Sequence, residues 1–383
     1  MSLRAELVDD PARLAPHLAA WDELAVAAGR PYCAPAWMLA WWRELAPPGA
    51  RLRVALAHDG DELIGVCPCW ADPAGGPERL RFLAAPVSSP TGPLAARGRE
   101  PEAARLLATA LAGARPAPRL LSIDGEPSDS PWPQLLARAW PAARGTATRT
   151  ADSVAAPAVS LDGVGDLDDW LAARSRNFRS QARQGRRRLS EAGAACRQLA
   201  EPAAIAAALP DLARLHHLRR EPRGGSAVLD DRGLRMLAAA AGELAPAGRL
   251  WISEVAGPDG TVAALLFVAA GGAGAYWNGG FDDAWGRSRP GLQALLGAIE
   301  EAARRGLREL DLGPGDQHYK DRLADRRREL VSLSLRPRDS RYPLTAARLA
   351  PSDLRARLRG AMSEEQKARL RRVLRRPQSP PAS

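Results

Sequence analysis

RELDLGPGDQHYKDRLAD, residues 308–325, carries the most information in this chain. Glu309, Leu310, Asp311 and Leu312 alternate as a short strand should, and Gly313-Pro314-Gly315 stops it. Asp316 is placed to cap a helix that begins around Gln317, so Tyr319 and Lys320 fall in that helix's first turn. Of 54 basic residues only Lys320 and Lys367 are lysine. An ammonium differs from a guanidinium in pKa range and in geometry, so a scarce lysine beside a tyrosine at a strand mouth is a candidate for chemistry.

Working outward, GLQALLGAIEEAARRG (291–306) has apolar residues at 292, 295, 296, 299 and 303, which is helical spacing, and Gly306 ends it. Upstream, the apolar runs 250–255 and 262–268 flank Gly257-Pro258-Asp259-Gly260, a hairpin turn signal, and 273–281 supplies a third run. The uncharged stretch 261–281 is long enough to imitate a membrane span, but its five glycines after a hairpin turn fit two strands better.

The order of three strands, loop, helix, strand and Tyr-bearing helix resembles the GNAT acyltransferase fold. YWNGGFDDAWGRSRPGLQALLGAIEEAARRGLRELDLGPGDQHYKDRL (276–323) resembles its BioF-like, CelD-like branch, which is related to the Fem peptidoglycan aminoacyl transferases. The resemblance covers residues 160–335, and its most specific piece is the Asp-Leu-Gly plus Tyr-Lys spacing from Asp311 to Lys320. A second copy is suggested by MLAWWRELAPPGARL (38–52), which lies without gaps on MLAAAAGELAPAGRL (236–250) and shares Met, Leu, Ala, Pro and the final Leu. The implied fold class is α/β (α+β), as tandem GNAT folds with a mixed central sheet flanked by helices. The expected domains are a degenerate GNAT-like domain (1–155), a BioF-like acetyltransferase domain (156–345) and a basic, partly disordered tail (346–383).

The resemblance implies that the loop DAWGRSRPG (283–291) cradles the pyrophosphate of coenzyme A. Pro290-Gly291 opens a helix whose unpaired N–H groups and dipole favour phosphate, and Arg287 and Arg289 add charge. Arg287, Ser288, Arg289, Gly291 and Leu292 are thus the expected contacts of an acetyl-CoA or other acyl-CoA co-substrate. Gln293 departs from the usual motif, where a small residue would follow. The Fem relatives take aminoacyl-tRNA, and the arginine pair would serve either donor.

The implied chemistry is acyl transfer from a thioester to an amine or hydroxyl of a small molecule or a cell-envelope or exopolysaccharide precursor. The amine must lose a proton at a cost of about 4 kcal/mol at pH 7, and the departing thiolate, of pKa ~8.5, must gain one. Tyr319 falls where many GNAT enzymes keep the acid that protonates the leaving sulfur. Lys320 would face the oxyanion or hold a substrate phosphate. Asp311, Glu254 and His318 are the candidate bases, and none stands out.

RSRNFRSQARQGRRR (174–188) sets Arg179, Arg183 and Arg186 or Arg187 on one helical face. Arg179, Arg183 and Arg187, with Trp277 and Asn278 on the third strand, are expected substrate contacts. With a net charge of +10 the chain suits anionic partners. The run's one aromatic, Phe178, makes no stacking platform for specific nucleic-acid recognition. The amphipathic tail segment 354–376 keeps peripheral membrane contact open. The N-terminus lacks the apolar core of a signal peptide, so a cytoplasmic location is expected. Cys67 and Cys69 share one strand, Cys33 and Cys196 stand alone, and no metal spacing appears, so no metal is expected. Trp37, Trp41 and Trp42 share a helical face that reads as core of the first domain, although an acceptor groove would also be aromatic. The first copy lacks a Tyr-Lys counterpart: LLSIDGEPSDSP (120–131) offers a strand and an Asp. A competing reading is a non-catalytic module that scaffolds envelope or exopolysaccharide assembly through its basic surface.

Overall fold

A computed structural model describes residues 2–73, 78–141, 145–149, 153–220, 226, 228–315 and 318–361. The expected cap at Asp316 and Gln317, the side chain of His318 and the tail from 362 lie outside them. The first unit runs β1 (Leu3–Val8), α1 (Leu18–Ala27), α2 (Pro35–Leu45), β2 (Arg51–Asp59), β3 (Glu62–Asp72), β4 (Arg79–Phe82), β5 (Leu94–Ala95), α3 (Glu100–Ala112), β6 (Leu120–Pro127), α4 (Trp132–Ala139), β7 (Gly145–Arg149) and β8 (Val154–Ser160). Two helices, α5 (Leu167–Ala172) and α6 (Arg176–Glu191), lead into the second. There the order is β9 (Ala195–Leu199), α7 (Pro202–Arg220), α8 (Asp231–Leu244), β10 (Leu250–Gly257), β11 (Gly260–Ala270), β12 (Ala273–Phe281), α9 (Pro290–Arg304), β13 (Glu309–Asp311), α10 (His318–Asp321), β14 (Arg326–Pro337) and α11 (Tyr342–Ala361).

Apart from β5 and β7 of the first unit, the two units share one order of elements up to their closing strands. Both begin with a strand and two helices, continue through antiparallel strands, and reach a parallel pair joined by a crossover helix: β4 with β6, and β12 with β13. The sheet order β1-β2-β3-β4-β6-β14-β8-β13-β12-β11-β10-β9 therefore reads alike from either end. At its centre the closing strands are exchanged. β14 lies between β6 and β8, and β8 lies between β14 and β13.

Local chemistry explains the hairpins. Gly257 pairs with Gly260 across the expected two-residue turn. The uncharged stretch 261–281 forms β11 and β12, turned at Gly271 with φ 55°. A Cβ on Gly271 would stand 2.3 Å from the carbonyl oxygen of Val26 in the first unit, so only glycine fits. Among the described residues no helix is long and apolar enough to cross a membrane.

The segments that echo each other in sequence meet in space: α2 packs on α8, and both Met38 and Met236 are fully buried. Their shared core takes in Trp37, Trp41 and, partly buried, Trp42. Trp37 meets Trp277 of β12 edge-on at 5.5 Å, joining the units by an aromatic contact of favourable geometry. On the opposite sheet face separate cores form under α3 and α4 and under α5, α6 and α9.

Candidate active site

β12 and β13 pair for only three residues, from Ala273 with Glu309 to Ala275 with Asp311, and then part. Each strand has a local reason to diverge. In β12, Leu266 of β11 faces Asn278 while Phe267 faces Tyr276, so Trp277 is an extra residue, and such a bulge bends its strand. After β13, Gly313 takes φ 77° and turns the chain away.

Two adjoining cavities fill the gap. The larger, of about 440 Å³, is walled by Phe178, Leu265, Phe281, Leu292, Leu295 and other mostly apolar groups, with Arg289 and Arg322 among its lining. The smaller, of about 270 Å³, is polar and includes Arg220, Trp277, Asn278, Gly313, Pro314 and Lys320. Arg219, Tyr276, Leu312 and Tyr319 line both. The smaller cavity thus gathers three cationic side chains and no carboxylate among its described lining.

Tyr319 and Lys320 are neighbours with different surroundings. Tyr319 is 38% exposed, whereas Lys320 is 3% exposed and its Nζ donates to the carbonyl oxygens of Gly313 (2.9 Å) and Pro314 (3.1 Å). The ammonium therefore pins the turn that ends β13. Burial raises the Tyr276 phenol well above its ordinary range, and the adjacent Tyr319 adds to the effect. Trp277, expected at the substrate, donates its indole N–H to Val87 of the first unit at 2.9 Å while bordering the smaller cavity.

Of the candidate bases, Asp311 and Glu254 line neither of the cavities that Tyr319 borders. Asp311 accepts from the Gly313 N–H at 2.6 Å and lines a separate cavity of about 630 Å³ between the units. Burial raises its pKa, partly opposed by that hydrogen bond. Glu254 is buried, paired with Arg197 at 2.8 Å and hydrogen-bonded by Thr261.

At the start of α9, Arg289 adopts a left-handed φ of 53° as the N-cap, and Arg289, Gly291 and Leu292 line the larger cavity. A Cβ on Gly291 would meet the Phe281 ring at 2.6 Å. Arg287 and Ser288 do not line this cavity. The Arg287 carbonyl accepts from Arg188 at 2.9 Å, and Ser288 is buried under α6. Gln293 has a packing reason: buried, it donates to the Ala182 carbonyl of α6 at 3.0 Å, and Gly185 leaves room for it. Arg289 and Arg322 both donate to Gln181 Oε1, the latter at 2.8 Å. Two guanidiniums roughly 5 Å apart repel by about 3 kcal/mol at an effective dielectric of 20.

On α6 the expected stripe divides. Arg179 donates to the carbonyls of Ala172 (3.0 Å) and Arg174 (2.8 Å), securing the end of α5, and Arg187 pairs with Glu191 at 3.3 Å. Arg176, Arg183 and Arg187 still share the outward face.

Arg219, Arg220, Tyr276, Arg322 and His216 escape a reading of the sequence. His216 of α7 is 1% exposed and lies against Asn278 and Gly279 without a hydrogen bond of good geometry. Burial, followed by the charge of Arg220, pushes its pKa down to about 4, so it is neutral at pH 7. In the first unit the corresponding strand end also has a left-handed glycine, Gly125 (φ 65°). Glu126 follows, 1% exposed and gripped by both Nη atoms of Arg30 at 3.2 and 2.8 Å. Among the described residues one cluster has metal-ligand chemistry, Glu6, His17 and His58, with donor atoms within 4.8 Å of one another. Both Glu6 oxygens already accept from guanidiniums, Arg4 at 2.7 Å and Arg13 at 2.9 Å.

Residues 176–321 match the acetyltransferase (GNAT) domain family. The crystal structure of FemX is similar over 90% of this chain and 99% of its own, at 12% identity and a TM-score of 0.61. L-PGS from Bacillus licheniformis is similar over 91% and 98%, at 11% identity and a TM-score of 0.52. A conserved protein of unknown function from Bacteroides thetaiotaomicron is similar over 87% and 99%, at 11% identity and a TM-score of 0.52. No curated protein matches the sequence. A match to the GNAT domain family over residues 176–321 thus lies within a two-unit fold similar to that of FemX.

Proposed function

We propose that the chain is an acyltransferase, with an activated acyl donor in the larger cavity and the amine or hydroxyl of an acceptor in the smaller. The observation that carries this reading is the position of Tyr319 on the wall the two cavities share, where β12 and β13 part. Attack by the acceptor on the acyl carbonyl forms the new bond and puts negative charge on the carbonyl oxygen. Beyond Ala275, β12 has no ladder partner toward β13, so backbone donors on that edge are available to the oxyanion. Collapse breaks the bond to the leaving group. A thiolate of pKa ~8.5 then takes the phenolic proton of Tyr319, and the acceptor's proton returns to the phenolate through water. Lys320 acts by holding the Gly313–Pro314 turn beneath this wall.

Three cationic side chains around the smaller cavity favour an acceptor with a phosphate or carboxylate near its reacting group, as an envelope or polysaccharide precursor has. Acyl-CoA, acetyl-CoA included, is the donor that the GNAT family match favours. Aminoacyl-tRNA is the second reading, favoured by the arginines on the outward face of α6. Thermal stabilisation of the full chain by acetyl-CoA, a long-chain acyl-CoA and aminoacyl-tRNA separates the two. A bound donor at ~100 times its Kd adds about 2.7 kcal/mol. Stabilisation by none of them would overturn the enzymatic reading in favour of the scaffold.

A further inference from the structure

One cluster in the first unit has no part in acyl transfer. Glu6 of β1, His17 at the end of the 3-10 turn Pro11–His17 and His58 of β2 each place one ligand atom within 4.8 Å of the others. Strand register brings two of them together. Arg4 pairs with His58 and Glu6 with Leu56, so Glu6 and His58 are diagonal neighbours on one face of the antiparallel pair. The turn after β1 then lays the His17 ring edge-on against that of His58, with 5.2 Å between centroids. None of the three lines either cavity beside Tyr319.

His58 is the residue that points to a ligand. It is 1% exposed, and neither ring nitrogen meets a hydrogen-bond partner. Buried polar groups are nearly always paired, because a desolvated donor or acceptor left alone is costly. The preceding residues of β2, Val54 to Ala57, are apolar and buried, so packing alone would be served by another apolar side chain. Two imidazoles and a carboxylate select a borderline cation such as Zn2+ over Mg2+ or Ca2+, which prefer oxygen ligands. Zinc bonds of ~2.1 Å in a tetrahedron hold ligand atoms about 3.4 Å apart, so closure asks for a shift of about 1.4 Å at most. Glu6 and His17, both only partly buried, can supply it. Arg4 and Arg13 donate to the two Glu6 oxygens at 2.7 and 2.9 Å, but both arginine side chains are more than half exposed, and such pairs yield at little cost. Their charge weakens the site without filling it.

We propose that Glu6, His17 and His58 form a zinc site, with three protein ligands and a fourth position open to water, that staples β1 and the turn after it to β2. β1 is the outermost strand at this end of the sheet and pairs only with β2, so a staple here secures an edge.

The test titrates Zn2+ and Mg2+ into the metal-stripped full chain, without an affinity tag, and follows binding heat and melting temperature. The parent should take up one Zn2+ per chain and ignore Mg2+. Zinc at ~100 times its Kd should raise the melting temperature by about 3 °C. His17→Ala and Glu6→Gln alter partly exposed side chains, so both should fold, and each should weaken zinc at least about 10-fold. Cys196→Ser, which removes the exposed thiol, should bind zinc as the parent does. Arg4→Gln combined with Arg13→Gln should tighten binding by freeing the carboxylate. Co2+ in place of zinc should give the visible absorption of a four-coordinate site in the parent and lose it in His17→Ala. If the parent shows no zinc-dependent rise in melting temperature, or if His17→Ala and Glu6→Gln bind zinc as tightly as the parent, the site is wrong and His58 is an unpaired core histidine.

Discussion

Replacing Lys320 with methionine asks what a buried ammonium contributes here. The side chain is 3% exposed, and its two acceptors are the carbonyls of the turn that ends β13. Methionine keeps the length and removes both hydrogen bonds, leaving two carbonyls facing a thioether. One charge-assisted hydrogen bond contributes roughly 1.5–3 kcal/mol net, and two that share one charge contribute less than twice that, so about 3 kcal/mol is the expected loss. With 383 residues unfolding at ~2.1 cal/mol/K each, the unfolding entropy is about 0.8 kcal/mol/K, and the melting temperature should fall by about 4 °C. Amide exchange should quicken at Gly313 and Gly315, and turnover should fall because the turn supports the wall bearing Tyr319. Arginine should rescue poorly, since a planar fork cannot replace a compact donor. A methionine variant that melts within about 1 °C of the parent, with unchanged exchange in the turn, refutes the anchoring role and returns Lys320 to direct contact with the reacting atoms.

Tyr319→Phe removes an exposed hydroxyl, so turnover should fall by about 10² in an acyl-transfer assay while the melting curve stays in place; an unchanged turnover moves the acid elsewhere. For His216, the folded pKa of about 4 lies below the ordinary value of 6.5, so the unfolded chain takes up the proton first as pH falls. Its contribution should be complete above pH 6.5 and lost progressively down to pH 4, and His216→Gln should flatten that part of a denaturant-stability profile. A Cβ at Gly185 would stand 2.5 Å from Gln293 Nε2 and 2.9 Å from the Ser288 carbonyl, so Gly185→Ala should cost about 1–3 kcal/mol and weaken donor binding. Arg183→Glu combined with Arg187→Glu should abolish the salt dependence of donor binding if the outward face of α6 guides an anionic donor; equal binding at low ionic strength makes these arginines solvated surface.

Much of the second unit is legible in the chain because its signals are local. The Gly257–Gly260 turn, the apolar runs 250–255 and 262–268 and the helical period of 291–306 each concern residues a few positions apart. Directions across the sheet are less local, yet two of them follow from period. Leu310 and Leu312 enter the core, so Asp311 between them must face the other side. Tyr319 and Arg322 are three apart near one helical turn and meet the same cavity, a spacing from which Arg322 could have been found. Arg219 and Arg220 could not be singled out among 54 basic residues, since what distinguishes them is the end of α7 meeting β12. The central exchange of β8 and β14 has no local signature, because either strand would satisfy its alternation beside any partner.

That exchange sets a timetable for biosynthesis. The free edge of β6, at residues 120–127, receives its neighbour only when β14, at residues 326–337, has left the ribosome. At ~5–20 residues per second, the roughly 200 intervening residues take about 10–40 s, during which an unpaired strand edge faces other nascent chains. The first unit therefore cannot finish its sheet before the second is almost complete, and chain termination anywhere before β14 leaves a product with an open, pairing-competent edge instead of a smaller folded protein.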